Sequence, residues 1–199
     1  GYLRGESRVQ GVTATPGAGT DVPLYILGSS LFGAQLAAYL GLPYAFASHF
    51  APAALEQAVA LYRQEFRPAE LPDGGVSEPY VMAAITVIAD DDAELAAAQL
   101  QDAKRHRLRF LIARNTALTD EEADAVLDSP HGRQVHEMLR HSAVGTPDQV
   151  RGQLAEFTAL ADADELILAP LAGDRKVWLG TVAALSPAAE ASELSAAPR

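Results

Sequence analysis

The sequence predicts an α/β protein built on a parallel sheet. Three observations carry the prediction: short, almost wholly apolar runs that read as buried strands, amphipathic stretches of helical period between them, and cap or turn residues at the junctions. Strand followed by helix recurs along the chain, giving four βα units with a helical insertion after the third strand.

Residues 1–21 are rich in Gly, Thr and polar side chains, lack apolar periodicity, and are predicted as an extended connector. The first strand is expected at Leu24–Leu27, ending on Gly28-Ser29-Ser30. A helix over about 31–40 follows, with Phe32, Leu36 and Leu40 as its apolar stripe and Gly41 as its stop. The second strand, Tyr44–Ala47, ends on Ser48-His49. After Pro52 a helix over about 53–65 buries Leu55, Ala58, Val59 and Tyr62, spaced i, i+3, i+4, i+7.

A Pro/Gly-rich loop, Arg67–Ser77, leads to Tyr80–Ile88, whose β-branched and apolar residues predict a buried strand. The insertion begins with one long helix, Ala93–Ala113. Thr119 with Glu122 makes a capping box for a second, and Pro130–His141 reads as a third. Thr146-Pro147 with Gln149 caps another helix, which carries Val150, Leu154, Phe157 and Ala161 on one face. Glu165–Ala169 is the fourth strand, followed by a turn at Ala172-Gly173-Asp174 and a helix containing Trp178, Val182 and Leu185. The predicted domain is 22–185, and residues 186–199 form a flexible tail.

Composition narrows the function. At 199 residues the chain can bury a core of its own. A net charge of −11 argues against nucleic-acid and anionic-membrane partners, both of which call for a basic face. Cysteine is absent, which removes disulfides, thiol catalysis and Cys-ligated metals. No apolar run approaches a membrane span and no signal-peptide pattern opens the chain, so a cytoplasmic location is expected. The chain starts at Gly1 without an initiator Met, which points to a trimmed or partial sequence.

Gly28-Ser29-Ser30 joins a strand to a helix. It reads either as an N-cap or as a phosphate cradle, where free N–H groups and two hydroxyls meet the positive end of the helix. A nucleophile elbow would need Gly where Phe32 stands, which disfavours a hydrolase. His49, just past a strand end, is a candidate site residue or a packed loop histidine. His131, His136 and His141 sit about 140° apart on a helix and share no face, so no metal site is expected. Lys104, Arg105, His106, Arg107, Arg109 and Arg114 read as a solvated helix face or an anion-attracting rim. Asp162, Asp164 and Glu165 read as solvated residues without partners.

The stretch PLYILGSSLFGAQLAAYLGLPYAFASHF resembles the fifth- and sixth-strand region of the bacterial luciferase-like flavin monooxygenases. Val144-Gly145-Thr146-Pro147, with the helix leading to Asp164-Glu165-Leu166-Ile167-Leu168, resembles the last helix–strand pair of that family. The resemblance implies the C-terminal half of a (β/α)8 TIM barrel with an insertion after strand seven. The barrel's first four strands are absent from the sequence, so the fragment is expected to be inactive alone. It also implies reduced FMN as cofactor, ahead of a deazaflavin, activating O2 to oxygenate a small organic substrate. Gly28, Ser29, Ser30 and Gly33 would hold the flavin phosphate. Ala47, Ser48 and His49 would line the ring or substrate side, with His49 as the catalytic candidate. A flavin reductase is an implied partner, and the full-length family member an implied homodimer. The alternative from a different class is a non-catalytic flavin-binding or truncated barrel protein.

Overall fold

The computed structural model describes residues 3, 5, 9–20, 22–68, 75–111 and 117–186. Expectations for the rest of the connector, the centre of the 67–77 loop, Arg114 and the tail beyond Ser186 lie outside the described residues. Residues 9–20 hold turns and no helix or strand.

The fold is α/β, as expected, with every strand pairing parallel. Strand β1 (Ile26–Gly28) leads to α1 (Leu31–Leu40), then β2 (Tyr44–Phe46), a short 3-10 turn and α2 (Leu55–Glu65). Strand β3 (Val81–Ala89) precedes the insertion, which comprises α3 (Ala93–Leu111), α4 (Asp120–Leu127) and α5 (Arg133–Met138). Strand β4 (Ser142–Gly145), α6 (Pro147–Ala161), β5 (Glu165–Pro170) and α7 (Arg175–Ala184) complete the chain.

Strand β3 is the hub of the sheet. Strand β5 pairs along one edge of it, from Met82 to Val87. The opposite edge is shared: β2 takes Val81–Ala83 and β4 takes Thr86–Ala89. Bonded on both edges and covered on both faces, β3 is buried almost throughout, which its Val/Ile/Ala-rich sequence allows.

Five strands, rather than four, make up the sheet. Strand β4 escapes a sequence reading because it is four residues long with a single β-branched side chain. Its stability is borrowed: β3 bonds one edge, and the Gln153 side chain exchanges hydrogen bonds with both Val144 backbone groups (3.1 and 3.0 Å) on the other. Pro130–His141 is likewise no single helix but a 3-10 turn followed by α5.

Helix α1 turns a different face inward from the one expected. On α1 the buried residues are Gly33, Ala34, Ala37 and Ala38, while Phe32 is 72% exposed. Small side chains let this helix lie close to the sheet; Leu31, Leu36 and Leu40 are half-buried beside them, and Phe32 and Tyr39 are left outside. On α7 the inward residues are Val177 and Thr181, with Trp178 and Val182 partly exposed. Thr181 is bonded through its hydroxyl to both the N–H and the C=O of Ala89, at 2.9 and 3.0 Å. That reciprocal bond anchors α7 at the C-terminal end of β3. The stripes on α2 and α6, the left-handed Gly41 stop and both capping boxes are as expected.

The main core packs α1, α2 and α6 against the sheet. A second core of Leu108, Ala123, Leu127, Val135 and Leu139 holds the insertion together.

Candidate functional site

Strands β1 and β2 finish side by side. Gly28 is the register partner of Phe46, and the Ala47 N–H donates to the Gly28 carbonyl at 2.9 Å. Ser29-Ser30 and Ser48-His49 therefore leave the sheet next to each other at one end. In parallel α/β sheets this C-terminal end is where ligands and chemistry collect.

The turn from β1 into α1 is tight. A Cβ built on Gly28 or Gly33 would lie 3.4 Å from the Cα of the other, with the Tyr44 ring at 3.5 and 3.4 Å respectively. A Cβ at either position would meet these neighbours at ordinary van der Waals contact, so the turn is closely packed without a clash. Tyr44, fully buried, fills the space beneath and donates its hydroxyl to the Ser30 carbonyl at 3.1 Å. Burial pushes its phenol up to about 12.

Ser30 occupies the N-cap position of α1 with extended backbone, yet its side chain accepts nothing from the helix. This is unlike the other Ser, Thr and Asp residues at helix starts among the described residues. Thr119, Ser129, Thr146 and Asp174 each accept a backbone N–H of their helix, and Asp92 accepts from Glu94 and Leu95. Neither Ser29 nor Ser30 hydrogen-bonds through its hydroxyl to a described residue. The first turn of α1 therefore presents N–H groups with no intrahelical acceptor, beside two uncommitted hydroxyls, at the positive end of the helix. Ser30 thus stands at the N-cap position without a side-chain capping bond.

Strand β2 delivers three further candidates. Ser48 is fully buried and donates to the Ala84 carbonyl at 2.5 Å, so its hydroxyl ties the turn to β3. Ala47 and His49 are half-buried. The His49 Nδ1 is buried without a hydrogen-bond partner. Burial first, and the Arg107 charge second, hold the imidazole below its ordinary pKa. It is therefore neutral at pH 7 and keeps one ring nitrogen unsatisfied. Such an orphan is costly unless a ligand or water meets it.

Two members of the basic cluster on α3 are partnered within the insertion rather than simply solvated. Arg105 bonds Asp124 through Nε and Nη2 (2.7 and 2.6 Å) and Asp102 through Nη1, while Arg109 pairs with Asp120. These pairs bind α3 to α4 and hold the Asp124 carboxyl down at about 2. Arg107, two residues from each, projects from the other side of the helix, and it is its charge that His49 senses. His131, His136 and His141 are held apart: His136 meets the Leu127 carbonyl, His131 lies by Ser129, and His141 packs on Phe157. Among the described residues no three His, Asp or Glu side chains gather as a metal site, and no helix is long and apolar enough to cross a membrane.

Asp162 and Asp164 are partnered, contrary to expectation. Arg63 is ion-paired with both, and Asp164 also accepts the Val81 N–H at 2.7 Å. Glu165 accepts from the Tyr80 hydroxyl at 2.6 Å. Neither Tyr44 nor Arg107 stands out alone in the sequence as a site residue. Tyr44 is legible once the register sets it opposite Ile26, two residues before Gly28.

Residues 2–164 match the family model for luciferase-like monooxygenases. The chain belongs to that family. A luciferase-like monooxygenase of Escherichia coli (strain K12) is 39% identical over 160 residues, which are 79% of this chain and 46% of that protein. The Bacillus subtilis (strain 168) protein YvbT, uncharacterized, is 40% identical over 162 residues, 79% and 46% of the two chains. The crystal structure of apo-MsnO8 is similar at 30% identity with a TM-score of 0.67, covering 100% of this chain and 58% of that one. The chain thus spans about half the length of the curated relatives it matches.

Proposed function

We propose that this chain forms the cofactor-holding part of a flavin-dependent monooxygenase that uses reduced FMN and O2 on a small organic substrate. In this reading the cofactor phosphate is received by the first turn of α1, with Gly28, Ser29, Ser30 and Gly33. Ala47, Ser48 and His49 lie on the ring or substrate side. The strands β1, β2, β3 and β5 supply half of a (β/α)8 barrel, and residues 22–185 act as that unit, flanked by the connector and the tail.

The observation that carries the reading is the uncapped start of α1. A serine stands at its N-cap and leaves both its own hydroxyl and the helix N–H groups to a ligand. Family membership supports the flavin class. Proteins of the same fold, at 20% and 16% identity with TM-scores of 0.51 and 0.53, include a riboflavin lyase solved with a modified FMN and a coenzyme F420-dependent tetrahydromethanopterin reductase from Methanopyrus kandleri. FMN is preferred here, with the deazaflavin as the other cofactor to test.

Bound reduced flavin would supply the oxygen-activating chemistry. The chain's own residues bind the phosphate, orient the ring and keep water away. His49, neutral and with an orphaned nitrogen, can donate or accept one hydrogen bond at the substrate side without adding a charge there. The same reading takes a flavin reductase as the source of reduced cofactor, and a cytoplasmic homodimer as the working form.

Ser30→Ala tests it in the full-length protein. FMN affinity is expected to fall several-fold while riboflavin, which lacks the phosphate, binds as before. Equal losses for both ligands would overturn the phosphate role.

A further inference from the structure

Tyr44 has no part in the reading above beyond filling space, yet its position is specific. It begins β2, pairs in register with Ile26, and reaches two residues along the sheet to the β1–α1 turn. There its ring supports both glycines and its hydroxyl takes the Ser30 carbonyl at 3.1 Å. The other donor to that carbonyl is the Ala34 N–H of the helix, at 3.4 Å. The tyrosine bond is the shorter of the two.

A peptide unit is planar and trans, so its carbonyl and its N–H point in opposite directions. The Ser30 carbonyl belongs to the same unit as the Leu31 N–H. Pulling the oxygen down toward the sheet turns that N–H up, away from Tyr44 and out of the start of the helix. Leu31 is the first residue of α1, and its N–H has no intrahelical acceptor.

We propose that Tyr44 is a positioning residue for the cofactor phosphate: its hydroxyl holds the Ser30 carbonyl and thereby aims the Leu31 N–H at the anion. The proposal rests on the reading that α1 receives a phosphate. It goes further by naming a buried side chain, itself out of reach of the ligand, that sets the direction of one donor. The expected phenotype is therefore selective. Loss of the hydroxyl weakens whatever carries a phosphate and spares the isoalloxazine ring.

The test is Tyr44→Phe in the full-length protein, which keeps the ring beneath Gly28 and Gly33 and removes one hydrogen bond. FMN and riboflavin affinities are measured for wild type and variant. The expected result is an FMN affinity lowered about fivefold, the scale of one lost hydrogen bond, with riboflavin unchanged. A general packing defect would weaken both ligands together and overturn the proposal. So would an FMN-to-riboflavin ratio that stays at the wild-type value while wild type prefers FMN, and in that case the phosphate reading itself stands. A wild-type protein that binds the two flavins equally would remove the phosphate reading and the proposal with it.

A second measurement needs no variant. Inorganic phosphate titrated into isotope-labelled wild-type protein should shift the Leu31 amide resonance with saturation, together with those of Phe32 and Gly33. Shifts at Phe32 and Gly33 with a silent Leu31 would leave the phosphate site in place and sink the role assigned to Tyr44.

Discussion

Where β3 and β5 begin, polar groups are spent on one another. Arg63 is ion-paired with Asp162 and Asp164, Asp164 takes the Val81 N–H, and Tyr80 donates to Glu165. Where β1 and β2 finish, two serine hydroxyls lack partners among the described residues and a buried nitrogen of His49 lacks one too. One end of the sheet thus closes its polar groups, while the other leaves those of Ser29, Ser30 and His49 open beside the closed bonds of Ser48 and Thr181. Closed networks hold the strands in register; open groups, of which the buried His49 nitrogen is the costly one in the free protein, are what a ligand can complete.

The contrast can be broken most severely by closing the open end. Ser30→Asp would install at α1 the kind of cap Asp174 gives α7. An aspartate there accepts the helix N–H groups and suits the positive end of the helix, raising stability of the free protein by up to about 1 kcal/mol. It also sets a carboxylate against the phosphate. At about 4 Å and an intermediate dielectric, such a pair repels by about 4 kcal/mol. We expect FMN affinity to fall at least a hundredfold while the melting temperature holds or rises. Retained FMN binding would show that the phosphate does not sit at α1.

At the closed end the expected effect is on stability alone. Asp164→Ala removes the acceptor of the Val81 N–H and one partner of Arg63. Denaturant unfolding should give a loss of about 1–2 kcal/mol, with FMN affinity unaltered. An FMN defect comparable to that of Ser30→Ala would mean that the two ends are not independent.

A finer comparison sets Thr146 against Ser30, two hydroxyl residues at helix starts. Thr146 forms a reciprocal capping box with Gln149. Its replacement by Ala should cost about 1 kcal/mol. Ser30→Ala should leave the stability of the free protein unchanged, because no intrahelical bond is lost. If Ser30→Ala destabilises the protein as much as Thr146→Ala, its hydroxyl caps in solution after all.

These two sites also mark what could be read in advance. Thr146-Pro147-Asp148-Gln149 is a local signal whose partners lie three residues apart, and so the sequence alone gives the cap. Ser30 carries an equally good local signal, yet its side chain makes no cap, and its carbonyl is met instead by Tyr44 from the next strand. Helix α1 repeats the lesson. Its length and Gly41 stop are local and legible, but its inward face is set by how close the helix must come to β1, which favours Gly33 and Ala34 over Phe32. Strand β4 has almost no local signal, because β3 and Gln153 supply its bonds from elsewhere in the chain. The ends of helices and the buried strand β3 were readable; contacts made across the sheet were not.

The smallest expected effect concerns His49. Its pKa is lowered by burial first and by Arg107 second, so Arg107→Gln removes only the lesser cause. Titrating the ring by NMR, we expect the pKa to rise part of the way toward the ordinary 6.5. His141, whose pKa is also lowered, owes that to its own burial and to Arg140, so it should stay in place and serves as an internal reference. The stability consequence follows from linkage. In the window between the folded pKa and 6.5, the unfolded chain binds a proton at His49 that the folded chain refuses, and stability is lost as pH falls through that window. Raising the folded pKa narrows the window, so Arg107→Gln should lose less stability than wild type on acidification from pH 7. An unmoved His49 pKa would mean that Arg107 does not face it, and that burial alone keeps the ring neutral at the open end of the sheet.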